Sequence, residues 1–262
     1  MTEAPRLTFT RLAGSPGRGA PLVVGPSLGT SVAALWGTTA TLLSGHFDVI
    51  GWDLPGHGRS APATAPFTVG GLAAAVRRGT AGLWDGDRRA WYAGVSLGGA
   101  VALELALTPG VFDRVVCIAA AARIGDTAAW HERADLVRRD GTSALVPGSR
   151  RRWFAPGFTE RDPDTAERLV RSLIETDRES YALACEALAA FDLRGQLHRS
   201  VVPLLVAPGE HDVVVPPSPA ARTAAIAPGA ALRVLDGCGH LPPAERPAAV
   251  AALLTSDTWE LP

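Results

Sequence analysis

Two short stretches could each present a nucleophilic serine. G-V-S-L-G at 94–98 and G-P-S-L-G at 25–29 both read G-x-S-x-G, and both follow an apolar run. A serine so flanked can stand at a sharp strand-to-helix turn, because glycines two before and two after let strand and helix approach closely. The helix must begin at once, so that its free N–H groups and dipole face the oxyanion formed when the hydroxyl attacks an acyl carbonyl. Around Ser96 a strand-like run enters and A-V-A-L-E-L-A-L leaves immediately. Around Ser27 no helix-forming run starts, Pro26 stiffens the turn and lacks an N–H, and helical spacing resumes only near Ala34. Ser96 is therefore the candidate nucleophile, and Ser27 reads as a turn serine capping local N–H groups. The 25–30 stretch can then supply one oxyanion donor through the backbone of Leu28 or a neighbour. Leu97, the residue after the nucleophile, supplies the other.

A serine hydroxyl needs a base, and the base needs an orienting carboxylate. In sites built on this kind of turn the chain order is Ser, acid, His. Of the six histidines, His240 lies in L-D-G-C-G-H-L-P-P, on a Gly-rich loop just after the last candidate strand. That places it on the rim where such sheets carry their chemistry. A surface loop histidine is the plain alternative. His57, in D-L-P-G-H-G-R-S, precedes the turn and reads as a structural residue, and His211 reads as shaping the acid loop. For the acid, V-P-L-L-V-A runs into P-G-E-H-D-V-V-V-P, which brings both Asp212 and Glu210 within reach. Asp212, short and deeper in the loop, is the preferred orienting carboxylate, with Glu210 left open. No metal or cofactor is needed, and no ligand cluster points to one.

These groups need a scaffold. Candidate strands are Leu22–Val24, Phe47–Trp52, Ala90–Gly94, Val115–Ala119, Leu204–Ala207 and Leu232–Leu235, and candidate helices include Val69–Leu83, Gly98–Leu107 and Ala244–Leu254. The alternation predicts an α/β domain around a mostly parallel sheet flanked by helices. Residues 123–198 differ: they are rich in Arg, Asp and Glu, have helical spacing and hold no convincing strand. A connection of that length exceeds ordinary crossovers. The expected organisation is a core of 1–122 and 199–262 with a helical cap at 123–198 above the sheet.

With 262 residues, 47% hydrophobic and 19% charged, the chain can bury a sizeable core. A net charge of −1 without a basic block leaves no footprint for nucleic acid or an anionic membrane. Lysine is absent, which reads as genome composition rather than mechanism. MTEAPRLTFT has no basic-then-apolar signal, and no run of about 18 apolar residues occurs. Cys117, Cys185 and Cys238 read as buried reduced thiols, and a cytoplasmic location is expected. A chain this apolar is compatible with a homo-oligomer, but no interface is legible.

With these residues placed, the chain resembles the α/β-hydrolase family. That match rests on S-L-G-T at 27–30, D-L-P-G-H-G-R-S at 53–60, G-V-S-L-G-G at 94–99, G-E-H-D-V-V-V-P at 209–216 and G-C-G-H at 237–240. Within that family it resembles the 3-oxoadipate enol-lactonases of aromatic catabolism. This narrower match rests on A-A-R-I-G-D-T-A-A-W-H-E-R at 121–133, R-R-W-F at 151–154 and C-E-A-L-A-A-F-D-L-R at 185–194, where a cap chooses substrate. The resemblance implies hydrolysis of a small anionic lactone to 3-oxoadipate by Ser96, His240 and Asp212. It also implies a cap arginine for the substrate carboxylate, since guanidinium binds carboxylate bidentately. Arg133 is expected in that role, with Trp130, three residues before it on the same helical face, and Trp153 as pocket walls. The rival expectations are a general carboxylesterase or cofactor-free perhydrolase on the same triad, and a hydrolase-fold ligand-binding protein without turnover.

Overall fold

Short β-branched runs alternating with Ala/Leu-rich helices can bury both faces of every strand only as a mostly parallel sheet between helical layers. The computed structural model, which describes residues 5–84 and 89–256, has that arrangement. Its strands are β1 (Thr8–Ala13), β2 (Ala20–Gly25), β3 (Phe47–Asp53), β4 (Ala90–Val95), β5 (Phe112–Ile118), β6 (Leu204–Ala207) and β7 (Ala231–Leu232). They form one sheet in the order β1-β3-β2-β4-β5-β6-β7. Only β1 runs antiparallel, against β3. The central strands are fully buried through Val23, Val24, Tyr92, Ala93, Val115 and Val116.

The chain winds from β2 outward to β3, then returns to place β4 on the other flank of β2. The carboxyl ends of β2 and β4 therefore open side by side, with Gly25 paired to Gly94. Such a switch in winding direction leaves a crevice above the strand ends. Helices α1 (Val32–Leu43), α2 (Val69–Thr80) and α3 (Leu97–Leu107) follow in chain order. Nearly all of α3 is buried, as its uniformly apolar sequence requires.

Between β5 and β6 lie α4 (Thr127–Asp140), α5 (Val146–Trp153), α6 (Phe158–Arg161), α7 (Pro163–Ile174) and α8 (Arg178–Ala189). Helix α4 packs along α8, where Arg138 bonds both Glu179 and Glu186. The segment is tied back to the sheet layer by Asp177 N–H to Gly56 O at 2.9 Å, Ala63 N–H to Ser180 Oγ at 2.9 Å and Leu193 N–H to Ala122 O at 2.8 Å. After β6 come α9 (Pro217–Ile226) and, beyond β7, α10 (Pro242–Glu245) and α11 (Pro247–Thr255).

Several boundaries differ from the sequence reading. Strand β1 was not anticipated, because T-F-T-R-L-A is a half-exposed edge strand without an apolar run. The helix expected over 244–254 is two helices, since Pro247 forces Arg246 out of helical conformation (φ −137°, ψ 59°). The helix from Val69 ends at Thr80, ahead of extended Ala81 and Gly82 at φ +81°. The last strand is shorter than expected and is continued by an isolated bridge between Gly209 and Leu235. Among the described residues no helix is long and apolar enough to cross a membrane.

Two glycines give opposite expectations. A Cβ on Gly94 would lie 2.0 Å from the Gly98 carbonyl oxygen, which is backbone and cannot swing away, whereas one on helical Gly37 meets nothing within 4 Å. Gly94→Ala is expected to cost about 3 kcal/mol or more, as overpacking does. At roughly 2–4 °C per kcal/mol for a chain of this size, that lowers the thermal midpoint by about 6–12 °C. Gly37→Ala should raise stability by about 0.5–1 kcal/mol. Calorimetry on both variants checks the pair.

Candidate active site

Strand β4 ends at Val95 and α3 begins at Leu97, so Ser96 alone makes the turn. It does so at φ +56°, ψ −112°, a left-handed region costly for a residue with a side chain. The turn is held by Ser96 N–H to Ile118 O (2.9 Å), Gly98 N–H to Pro26 O (3.0 Å) and Ala100 N–H to Ser96 O (2.8 Å). A Cβ on Gly98 would sit 2.6 Å from Pro26 O. The two G-x-S-x-G stretches are thus packed against each other, one as the turn and the other as its neighbouring loop.

Ser96 Oγ lies 2.9 Å from His240 Nε2, and His240 Nδ1 lies 2.8 Å from Asp212 Oδ2. All three residues are buried. A carboxylate can only accept, so Nδ1 carries the proton and Nε2 is left to accept from the serine hydroxyl. Asp212 Oδ1 accepts from Val214 N–H and Val215 N–H at 2.8 and 3.0 Å, which fixes the carboxylate. Glu210 is exposed and accepts from Gly237 N–H instead, so Asp212 rather than Glu210 reaches the imidazole. His211 lies beside Glu210 on the outside of the loop.

Ser27 is buried in its own turn: Thr30 Oγ1 donates to Ser27 O, and Ser27 N–H donates to Thr30 Oγ1. Gly29, at φ +84°, donates its N–H to His57 Nε2 at 3.1 Å. Neither Leu28 N–H nor Leu97 N–H has a hydrogen-bond acceptor among the described residues. The first lies in the loop after β2 and the second in the first turn of α3, the two places that flank Ser96.

The D-L-P-G-H-G-R-S stretch braces that loop. Asp53 accepts from Val32 N–H at 2.7 Å and Arg59 N–H at 2.9 Å. His57 Nδ1–H donates to Pro55 O at 2.9 Å, leaving Nε2 to accept from Gly29. Burial pushes the His57 pKa down to about 4, so the ring is neutral, as an acceptor must be.

A cavity of about 30 Å3 adjoins Ser96 and His240, and Trp130, Arg133 and Trp153 are among its lining residues. Ser149, Arg152, Tyr181 and Val214 line it too, and none of these was singled out from the sequence. Arg133 Nε donates to Tyr181 Oη at 2.9 Å. Trp130 donates to Ile124 O at 2.6 Å. Glu245 was also unanticipated. Its carboxylate accepts from Ala155 N–H (2.7 Å), in the segment between α5 and α6, and from Gly239 and Leu241 N–H (3.0 and 3.2 Å) on either side of His240. Burial raises its pKa. The signal for Glu245 was a lone acidic residue inside an apolar, proline-rich run.

The arrangement can perform acyl transfer: a hydroxyl on a base, a fixed carboxylate behind it, and two free N–H groups beside it. Comparisons with known proteins agree with this chemistry. The model of the alpha/beta hydrolase family matches residues 10–253. The 3-oxoadipate enol-lactonase 2 of Acinetobacter baylyi is 36% identical over 196 residues, covering 74% of this chain and 72% of its own. The 3-oxoadipate enol-lactonase 1 of the same organism is 30% identical over 194 residues, covering 74% and 71%. The crystal structure of the enol-lactonase from Burkholderia xenovorans LB400 superimposes with a TM-score of 0.89 at 32% identity, covering 95% of each chain.

His57 carries a pH signature. Its folded pKa of about 4 lies below the ordinary 6.5, so the unfolded chain binds the extra proton in between. Its contribution is therefore complete above pH 6.5 and is lost as pH falls towards 4. His57→Gln can keep both hydrogen bonds without titrating. The stability of the wild type relative to this variant is expected to fall by about 3 kcal/mol between pH 7 and 4, at 1.36 kcal/mol per unit. A pH-independent difference in urea titrations would show that the ring does not face Gly29 as a neutral acceptor.

Proposed function

The chain belongs to the alpha/beta hydrolase family, and as a hydrolase of that family we propose that it converts 3-oxoadipate enol-lactone to 3-oxoadipate. The observation that carries this reading is the Ser96–His240–Asp212 hydrogen-bond chain opening into a small cavity walled by tryptophan and arginine. The relatives named enol-lactonase support the choice of substrate.

In this mechanism Ser96 Oγ attacks the lactone carbonyl while His240 Nε2 takes its proton. Asp212 holds the tautomer and stabilises the imidazolium. The oxyanion lies against the N–H groups of Leu28 and Leu97. Collapse breaks the ring C–O bond and expels the enol oxygen, which takes the proton from His240. The released enol becomes a ketone, and that tautomerisation draws the ring opening forward. Water, deprotonated by His240, then attacks the acyl-serine and frees the acid. Arg133 pairs with the substrate's free carboxylate, and Trp130 and Trp153 wall the ring. The substrate is a small cytoplasmic anion, and no cofactor takes part.

Following loss of the lactone in the ultraviolet tests the proposal. Wild-type protein is expected to consume it far faster than a neutral p-nitrophenyl ester. Ser96→Ala should lower kcat by about 10^4-fold or more, as removal of a triad serine does. Arg133→Ala should raise KM about 10-fold, in line with loss of a charged hydrogen bond. Turnover of the neutral ester alone would sink the lactone assignment, and an unchanged KM would remove Arg133 from its role.

A further inference from the structure

Arg133, Arg152 and Ser149 line the cavity beside Ser96, and neither arginine forms an ion pair among the described residues. Arg133 comes from α4, while Ser149 and Arg152 are three apart on α5 and so lie on one side of it. Several arginines of the segment are paired with carboxylates, Arg138 with Glu179 and Glu186, Arg123 with Asp192 and Arg150 with Glu167, and none of these lines the cavity. Arg133 commits its Nε to Tyr181, and its guanidinium lies 5.6 Å above that ring, which leaves the Nη groups free. Burial pushes the Tyr181 pKa up to about 12, so its hydroxyl stays neutral and accepts from the guanidinium.

Among the described residues Arg152 has neither a hydrogen bond nor an ion pair. Much of the residue faces solvent, yet burial and then the charge of Arg133 lower its pKa against smaller opposing contributions from Tyr181 and Asp212, so the two cations sense each other. Ser149 is 2% exposed, and its Oγ has no hydrogen-bond partner among the described residues. Buried polar atoms are normally paired, and an exception in a reactive cavity calls for a ligand.

We infer that Arg152 and Ser149, with the free arm of Arg133, form a carboxylate-binding subsite that receives the distal carboxylate of the acyl group attacked by Ser96. A carboxylate has lone pairs for a guanidinium fork and a hydroxyl together, and one anion relieves the repulsion between the two arginines. The subsite also discriminates: a neutral acyl chain would leave the buried Ser149 hydroxyl without a partner and offer nothing to the guanidinium groups. The ligand class is an ester or lactone whose acyl part ends in a carboxylate. The inference deepens the lactone reading and rests on it for the natural substrate, but not for the charge preference.

The test uses two matched pairs: the lactone against its methyl ester, and the mono-p-nitrophenyl ester of adipate against p-nitrophenyl hexanoate. For wild type, kcat/KM should favour the anionic member of each pair. Arg152→Ala should cut that preference about 10- to 100-fold, the effect of losing a charge-assisted hydrogen bond. Arg152→Lys should restore part of it, and Ser149→Ala should reduce it several-fold. If Arg152→Ala lowers both members of a pair equally, or if wild type shows no preference for the anion, the subsite is wrong. If neither lactone is turned over while the adipate ester keeps an Arg152-dependent preference, the subsite stands and the lactone reading falls.

Discussion

The whole site hangs on one close approach, that of strand β4 to helix α3 across Ser96. The backbone there is left-handed, which costs a residue with a Cβ on the order of 1–2 kcal/mol. It persists because the surroundings over-determine it: Ile118, Pro26 and Ala100 each hold a bond to the turn, and both glycines are pressed against backbone. The next strand over repeats the condition, since Ala119 at the end of β5 also has positive φ (48°). The buried sheet supplies the rigidity. The reward is a hydroxyl projecting from the strand end with the first free N–H of a helix beside it.

Charge is arranged in layers around that point. Beneath it, buried carboxylates are satisfied by backbone N–H groups: Asp53 by Val32 and Arg59, Asp212 by Val214 and Val215, Glu245 by three donors. The buried His57 is neutral and acts as an acceptor. Above it the helices between β5 and β6 contribute Arg133 and Arg152, the hydroxyl residues Ser149 and Tyr181, and the indoles of Trp130 and Trp153 to the cavity wall. An anion in the cavity meets positive charge above and N–H dipoles below, and Asp212 lies behind the imidazole, bonded to its Nδ1.

Much of this was legible. Spacing and the immediacy of the helix distinguished Ser96 from Ser27, because an elbow is a local event written in five residues. The order of acid and base followed from strand ends, which apolar runs mark well. Residues whose meaning depends on the tertiary neighbour were not legible. Arg152 sits in an R-R-R run of which only one member faces the cavity, and Ser149 is one serine among many. Glu245 is defined by three N–H groups, of which Ala155 is 90 residues away. His57 looked like a turn residue because its partner, Gly29, is 28 residues upstream. Strand β1 escaped because an edge strand needs only half an apolar pattern.

Glu245 has a mechanical consequence. One carboxylate grips the cap at Ala155 and the loop on both sides of His240, while His240 N–H bonds Trp153 O at 2.8 Å. The wall of the cavity beside Ser96 and the loop that carries the imidazole are therefore fastened to the same carboxylate. The shape of the acyl pocket and the alignment of the proton path are thus set together, by the same few bonds.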